Sequence, residues 1–247
     1  MFEAGELLAS GREADIFEYR PGLVLRRSRS GHSQQIAARV MQYLGSFGYP
    51  VPTVLEVSDD GRDMVTERVD GTSMGDEMAR HPWRLNRYAD QLADLHQQLR
   101  GVPKPSWSAD LPVRPGRRDG SAGPTDSQAA SGHIDTLLHL DLHPLNVMMT
   151  SKGPVVIDWT NVSSGHWADD VAMSWLLMSS AEIPGRPPAT WLMGALRRRF
   201  VERYLRTFDI DEVKSHLGSA ADWKYRDPNM HPAELARIRE LVVRASP

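Results

Sequence analysis

Residues 139–149 read HLDLHPLNVMM, and this stretch decides how the chain is read. By residue type it is H-x-D-x-x-x-x-N, carried by His139, Asp141 and Asn146. Twelve residues after Asn146, the apolar run VVIDW (155–159) is expected to form a buried strand ending at Asp158. Asn146 and Asp158 are oxygen donors from separate segments. Such a pair suits Mg²⁺, a hard cation that also takes water and phosphate oxygens. A turn separates Asp141 from Asn146, so one side chain can face an acceptor hydroxyl while the other faces a metal. That division of labour is the pattern of phosphoryl transfer.

Blander readings exist for each residue. An Asp or Asn in a polar turn ordinarily serves as a turn former; the three residues together, in this order and spacing, go beyond that. His139 and His143 also invite a transition-metal reading, but such a site needs three or four converging ligands. No further cluster of suitable pattern is evident. His96 falls on an apolar helix face and reads as a satisfied core histidine.

The rest of the chain frames the loop. It has 247 residues, 40% apolar and 25% charged, which suits one large domain or two lobes. A net charge of −3 argues against a nucleic-acid binder working by bulk electrostatics. No cysteine is present, so disulfides, thiolate catalysis and zinc–thiolate sites are excluded. No signal peptide and no membrane-length apolar run is read, and a cytoplasmic protein without a membrane partner is expected. Only four lysines occur, at 104, 152, 214 and 224, so residues 1–103 contain none.

ADIFEY (14–19) and GLVLRRS (22–28) read as strands joined by a Pro21-Gly22 turn. Ile36, Val40, Tyr43, Leu44 and Phe47 are spaced as one helix face, closed by Gly48, Pro50 and Pro52. TVLEVSDDGRDMVTERV reads as strand, Asp-Gly turn, strand. Beyond Gly71 helices are expected over 83–100, 168–180, 190–207 and 232–244. The Pro- and Gly-rich 101–132 reads as a loop. The expectation is an α+β, bilobal chain. Residues 1–70 form a small antiparallel lobe with one helix, residues 71–247 a mainly helical lobe, and the active site lies between them.

Here the chain resembles the aminoglycoside phosphotransferase/choline kinase-like family of small-molecule kinases, which share the protein-kinase-like fold. HLDLHPLN is similar to that family's catalytic loop, typically H-G-D-x-H-x-x-N. VVIDW is similar to its metal-binding strand, and ADDVA (168–172) to the Asp-Leu-Ala segment that follows. VTERVDG (65–71) resembles the adenine hinge and YPVPTVL (49–55) the Pro-containing approach to the strand before it. The matches run in order from about residue 5 to 175. The resemblance implies Asp141 as catalytic base, Asn146 and Asp158 as Mg²⁺ ligands, and ATP or GTP as phosphoryl donor. It makes Glu67 and Val69 hinge residues on the nucleotide. It gives His139, His143 and Asp170 mainly structural parts.

The nucleotide lobe departs from the family pattern. Its phosphate hairpin, LLASGREADIFEY, has only Gly11 in the turn. The usual strand lysine is absent. Alignment of LVLR (23–26) puts Arg26 in its place, and strand alternation sets Val24 under adenine on the same face. Arg27 faces the other way and is expected in solvent. The usual helix glutamate is missing too: no acidic residue lies between Glu18 and Glu56, and its place falls on Ala37. Gln34, Gln35 or phosphate alone are open as substitutes.

Two functions follow. One is a kinase for a small hydroxylated acceptor, the resemblance suggesting antibiotics such as aminoglycosides. The other is a degenerate kinase fold that binds nucleotide or regulates without turnover. Residues 101–247 carry 17 acidic and 17 basic side chains, so no acidic bias points to a cationic acceptor. Acceptor identity and oligomeric state are not legible.

Overall fold

The computed structural model describes residues 2–11, 13–29, 31–112, 135–183, 185–227 and 230–245. In chain order its first elements are β1 (Leu7–Ser10), β2 (Ala14–Arg20), β3 (Leu23–Ser28), α1 (Gln35–Ser46), β4 (Val54–Val57), β5 (Asp63–Glu67), β6 (Thr72–Ser73), α2 (Met74–Arg80) and α3 (Leu85–Gly101). They are followed by β7 (Thr136–Leu138), β8 (Val147–Thr150), β9 (Gly153–Val156), β10 (Ser163–Gly165), α4 (Trp167–Ser180), α5 (Ala189–Leu205), α6 (Ile210–Lys224) and α7 (Pro232–Ala245). The chain divides into two units: Met1–Ser73 with Asn146–Val162, and Met74–Leu145 with Ser163–Pro247.

The first unit is built on an antiparallel sheet of order β1-β2-β3-β5-β4. The expected hairpins are present, and Gly61 (φ +71°) closes the Asp-Gly turn where a β-carbon would collide with Ser33. α1 buries Ala37, Ala38, Val40, Met41 and Leu44, whereas Phe47 is exposed. The buried stripe is therefore shifted from the expected one towards the small residues. Gly48 (φ +76°) ends the helix: its N–H reaches Gly45 O at 3.0 Å and the Tyr49 N–H reaches Leu44 O at 3.1 Å. That pair of bonds is a glycine-dependent helix stop.

Arg27 corrects its expectation. Its guanidinium donates to both carboxylate oxygens of Asp63, Nε at 2.7 Å and Nη2 at 2.8 Å, and to Phe2 O. The Asp63 side chain is fully buried. Burial alone would raise its pKa, but the bonds from Arg27 and the Phe2 N–H outweigh it and the net shift is downward. A charge so enclosed needs its fork-shaped partner, which is why Arg27 is not in solvent.

In the same unit β8 and β9 form a hairpin, and β6 pairs with β8 in a three-stranded sheet of order β6-β8-β9. VVIDW does not stay extended to Asp158 as expected. β9 ends at Val156, Asp158 takes a left-handed conformation (φ 62°), and Trp159–Asn161 form a 3₁₀ turn. Trp159, 1% exposed, packs edge-on against Tyr49 and anchors that turn.

The second unit is mainly helical. α4 is buried on nearly every side and packs against α5, α6 and α7. β7 and β10 pair as a short antiparallel ladder. α2 and α6 are absent from the sequence reading, although α6 carries a start signal. Asp209 caps it by accepting from the Asp211 and Glu212 N–H groups. Of the expected loop at 101–132, residues 113–132 lie outside the described residues. Its first part is anchored by buried Val102 and Leu111. No helix among the described residues is long and apolar enough to cross a membrane.

Asp63→Asn is expected to lower the free energy of unfolding by about 3 kcal/mol, at the low end for a broken buried pair because Arg27 is partly exposed. Urea denaturation measures it; an unchanged midpoint would mean that the pair does not hold the sheet.

Candidate active site

The residues read from the sequence fall on both units. Asn146, Asp158 and Arg26 belong to the first; His139, Asp141, His143 and Asp170 belong to the second.

In the first unit the β8–β9 hairpin does the positioning. Val147 pairs with Val156, and the Ile157 N–H donates to Asn146 O at 3.0 Å. Asn146 and Asp158 therefore flank the same end of one hairpin, which is why twelve residues of separation bring them together. Asp158 Oδ1 accepts from Arg26 Nη2 at 3.0 Å and from the Thr160 hydroxyl at 2.6 Å. Asp158 Oδ2 has no hydrogen-bond partner among the described residues. One carboxylate oxygen is thus tied down and the other can meet a cation. Asn146 Oδ1 and Asp158 Oδ2 are hard donors that fit Mg²⁺, with water and phosphate completing its shell.

Arg26 occupies the place expected of the missing lysine. Its side chain is 15% exposed and shares a sheet face with Val24, opposite fully buried Leu25. Nη2 also donates to Thr160 Oγ1 at 2.8 Å, and Nη1 donates to Gln34 Oε1. Gln34 is therefore the group that stands in for the absent glutamate, while Ala37 is simply core. The choice of an amide has a reason. Gln34 Nε2 donates to Arg26 O at 2.9 Å and to Arg62 O at 2.7 Å, so the side chain must both give and accept. A carboxylate would set its negative oxygen against two carbonyl oxygens. Sequence reasoning named Gln34 but missed Thr160, whose signal was its place two residues after Asp158.

The remaining residues expected on the nucleotide are placed as follows. The Gly11 N–H closes the β1–β2 hairpin by donating to Ala14 O at 2.9 Å. Glu67 ends β5, and its N–H is taken by Thr53 O at 2.9 Å. Val69 lies between β5 and β6, and its main-chain N–H and C=O make no hydrogen bond among the described residues.

In the second unit Asp170 organises the loop. It is 2% exposed at the start of α4. Its Oδ2 accepts from the His139 N–H at 3.0 Å and its Oδ1 from the Leu140 N–H at 2.7 Å. Two successive N–H groups converge on one carboxylate because Leu140 adopts φ 60°. That conformation costs about 1–2 kcal/mol for a non-glycine residue. The resembled family has glycine here; this chain has a leucine, 1% exposed, whose burial offsets the strain. His139, fully buried, accepts from the Asp141 N–H through Nδ1 at 3.2 Å. His143 accepts from the Leu145 N–H through Nδ1 at 3.3 Å, so its proton sits on Nε2, 3.5 Å from Asp141 Oδ1. Asp141 is thereby held by the main chain on one side and approached by an imidazole N–H on the other.

Behind the loop, His96 is 4% exposed. Nδ1 donates to Leu92 O at 3.2 Å and Nε2 accepts from Ser174 Oγ at 3.3 Å. Burial lowers its pKa to about 4, so it is neutral beside Asp170. Burial, then the Asp170 charge, pushes the neighbouring Tyr204 phenol well up. Trp167 is buried and stacks on Phe208, whereas Trp191 is exposed. Asp169 is engaged by His216 at 3.0 Å.

Residues 5–216 match the APH family of phosphotransferase enzymes. The chain belongs to that family. No curated protein matches the sequence. Among solved structures, aminoglycoside phosphotransferase APH(4)-Ia is similar at 16% identity, over 98% of this chain and 93% of its own, with a TM-score of 0.60. The streptomycin–ATP complex of APH(2")-IIa is similar at 14% identity, over 90% of this chain and 84% of its own, also at 0.60. A thermostable APH(4)-Ia variant, solved with AMP-PNP and hygromycin B, is similar at 17% identity, over 98% of this chain and 93% of its own, at 0.60. At these identities the likeness is one of fold. The α+β fold of these kinase-like enzymes is thereby shared by this chain, a member of the phosphotransferase enzyme family.

Two outcomes are expected. Gln34→Glu, which supplies an acid beside Arg26, is expected to destabilise by about 2 kcal/mol in urea unfolding, because the Arg26 and Arg62 carbonyls each lose a part-buried hydrogen bond and meet a carboxylate instead. A stabilised variant would mean that charge at Arg26 dominates. His96 binds its proton less readily folded (about 4) than unfolded (6.5), so its contribution is complete above pH 6.5 and is lost as pH falls towards 4. Unfolding free energy is expected to drop by about 3 kcal/mol from this group across that window. His96→Gln should flatten the slope there; an unchanged slope would assign it to other groups.

Proposed function

We propose that this phosphotransferase moves the γ-phosphoryl group of ATP or GTP to a hydroxyl of a small molecule. The observation that carries the reading is the β8–β9 hairpin, which sets Asn146 beside Asp158 while Arg26 engages only one Asp158 oxygen. Asp158 Oδ2 and Asn146 would hold Mg²⁺, which when bound supplies charge neutralisation to the phosphates. Arg26 offers fork-shaped donors to phosphate oxygens. The open main-chain groups of Val69 suit an adenine or guanine edge, and Val24 suits its face.

Asp141 accepts the proton of the acceptor hydroxyl as that oxygen bonds to the γ-phosphorus and the bond to the β-phosphate bridging oxygen breaks. The leaving nucleoside diphosphate keeps that electron pair. His143 Nε2–H steadies the carboxylate for this step. Rate comes mainly from alignment and from fixed charge. The complexes of the similar enzymes, with ATP and streptomycin or with AMP-PNP and hygromycin B, support a hydroxylated antibiotic as acceptor class. The loss of the lysine–glutamate pair keeps a binding module without turnover as the second reading.

Calorimetry with Mg²⁺-ATP and Mg²⁺-GTP is expected to give metal-dependent binding that Asp158→Ala abolishes. In a coupled assay of diphosphate release over a panel of hydroxylated acceptors, Asp141→Asn is expected to lose about 10³-fold in kcat. Its nucleotide affinity should stay within about threefold, since the base serves the step and not the binding. Nucleotide binding without turnover on any acceptor favours the module; binding of neither nucleotide sinks the kinase reading and leaves a degenerate fold with a regulatory part.

A further inference from the structure

The C-terminal end of α4 gathers an unusual amount of positive charge. Arg197 of α5 donates through Nη1 to Ala181 O at 2.6 Å, and Arg237 of α7 donates through Nε to Ser180 O at 2.6 Å. A helix C-terminus carries about half a negative charge, which accounts for one cation there. It does not account for two, with Arg198 adjacent in sequence. Neither Arg197 nor Arg237 has a carboxylate partner among the described residues. Glu182, the acid closest in sequence to these carbonyls, is exposed and forms no ion pair among the described residues.

The arrangement is also incomplete in its hydrogen bonds. Arg237 Nη2 is buried and has no partner among the described residues. A guanidinium has five N–H donors, and capping uses one from each arginine here. Burying a charged donor without an acceptor is costly. Burial, and then repulsion from Arg237 and Arg198, lowers the pKa of Arg197, so the two guanidiniums act on each other. A water molecule would satisfy Nη2 but would leave the repulsion in place. An anion answers both.

We propose that Arg197 and Arg237 form an oxyanion site at the end of α4, which takes a phosphate group, either as free phosphate or as part of a phosphomonoester. Planar forks with several unused N–H groups match the multiple oxygens of phosphate. The site is independent of the proposed phosphoryl transfer and uses none of its residues.

The test is calorimetry with inorganic phosphate and, separately, glycerol phosphate. The proteins are wild type, Arg237→Met, Arg197→Lys and, to remove phosphate binding at the nucleotide site, Arg26→Met. Saturable binding is expected to survive in Arg26→Met within about twofold and to weaken at least tenfold in Arg237→Met. Equal binding of both probes supports a site for any phosphate group; tighter glycerol phosphate supports a phosphomonoester. Should Arg237→Met fail to fold, the conservative Arg197→Lys still reads out, as weaker binding with the fork lost and the charge kept. Absence of saturable binding, or binding lost in Arg26→Met and kept in Arg237→Met, would overturn the proposal.

Discussion

A buried carboxylate that draws in two successive main-chain N–H groups governs the helical unit. Asp170 collects the N–H groups of His139 and Leu140, and only a left-handed Leu140 lets both point at it. The strain at Leu140 follows from that arrangement, whereas His96 is neutral because of its own burial. A protonated His96 would supply a second solution to the Asp170 charge, but its burial forbids one. The loop is therefore fixed from its main chain, and Asp141 inherits that rigidity without any contact of its own to α4 being needed.

The sheet-based unit solves a related problem differently. Its cation, Arg26, has no glutamate to rest on and is held by three neutral or shared contacts: Gln34, Thr160 and one oxygen of Asp158. An amide is required at residue 34 because the same side chain satisfies two carbonyl oxygens. The net charge around Arg26 stays more positive than a lysine–glutamate pair would leave it. Elsewhere in the unit, Arg27 shows the opposite arrangement, a cation fully matched to one buried carboxylate.

Much of this was legible in the sequence, for definable reasons. Alternation and Gly-containing turns marked β2, β3, β4 and β5, and loop spacing marked Asp141, Asn146 and Asp158. Strand parity placed Val24 and Arg26 on one face. What escaped depended on partners distant in sequence. Arg27 looked solvated because nothing local announces Asp63, 36 residues away. Asp158 looked like the last residue of a strand because five apolar-rich residues do not encode where extension stops; the anchoring of Trp159 against Tyr49 does. α6 was missed because its apolar face is weak and its clearest mark is the Asp209 cap.

The arginine at residue 26 also changes how this protein can be chemically addressed. Residues 1–103 contain no lysine, so that stretch of the sheet unit offers no ε-amine to an acylating nucleotide analogue. Acetyl transfer, which silences a lysine by removing its charge, has no purchase on a guanidinium. The grip on Asp158 thus lies outside the reach of amine-directed labelling and of lysine acetylation.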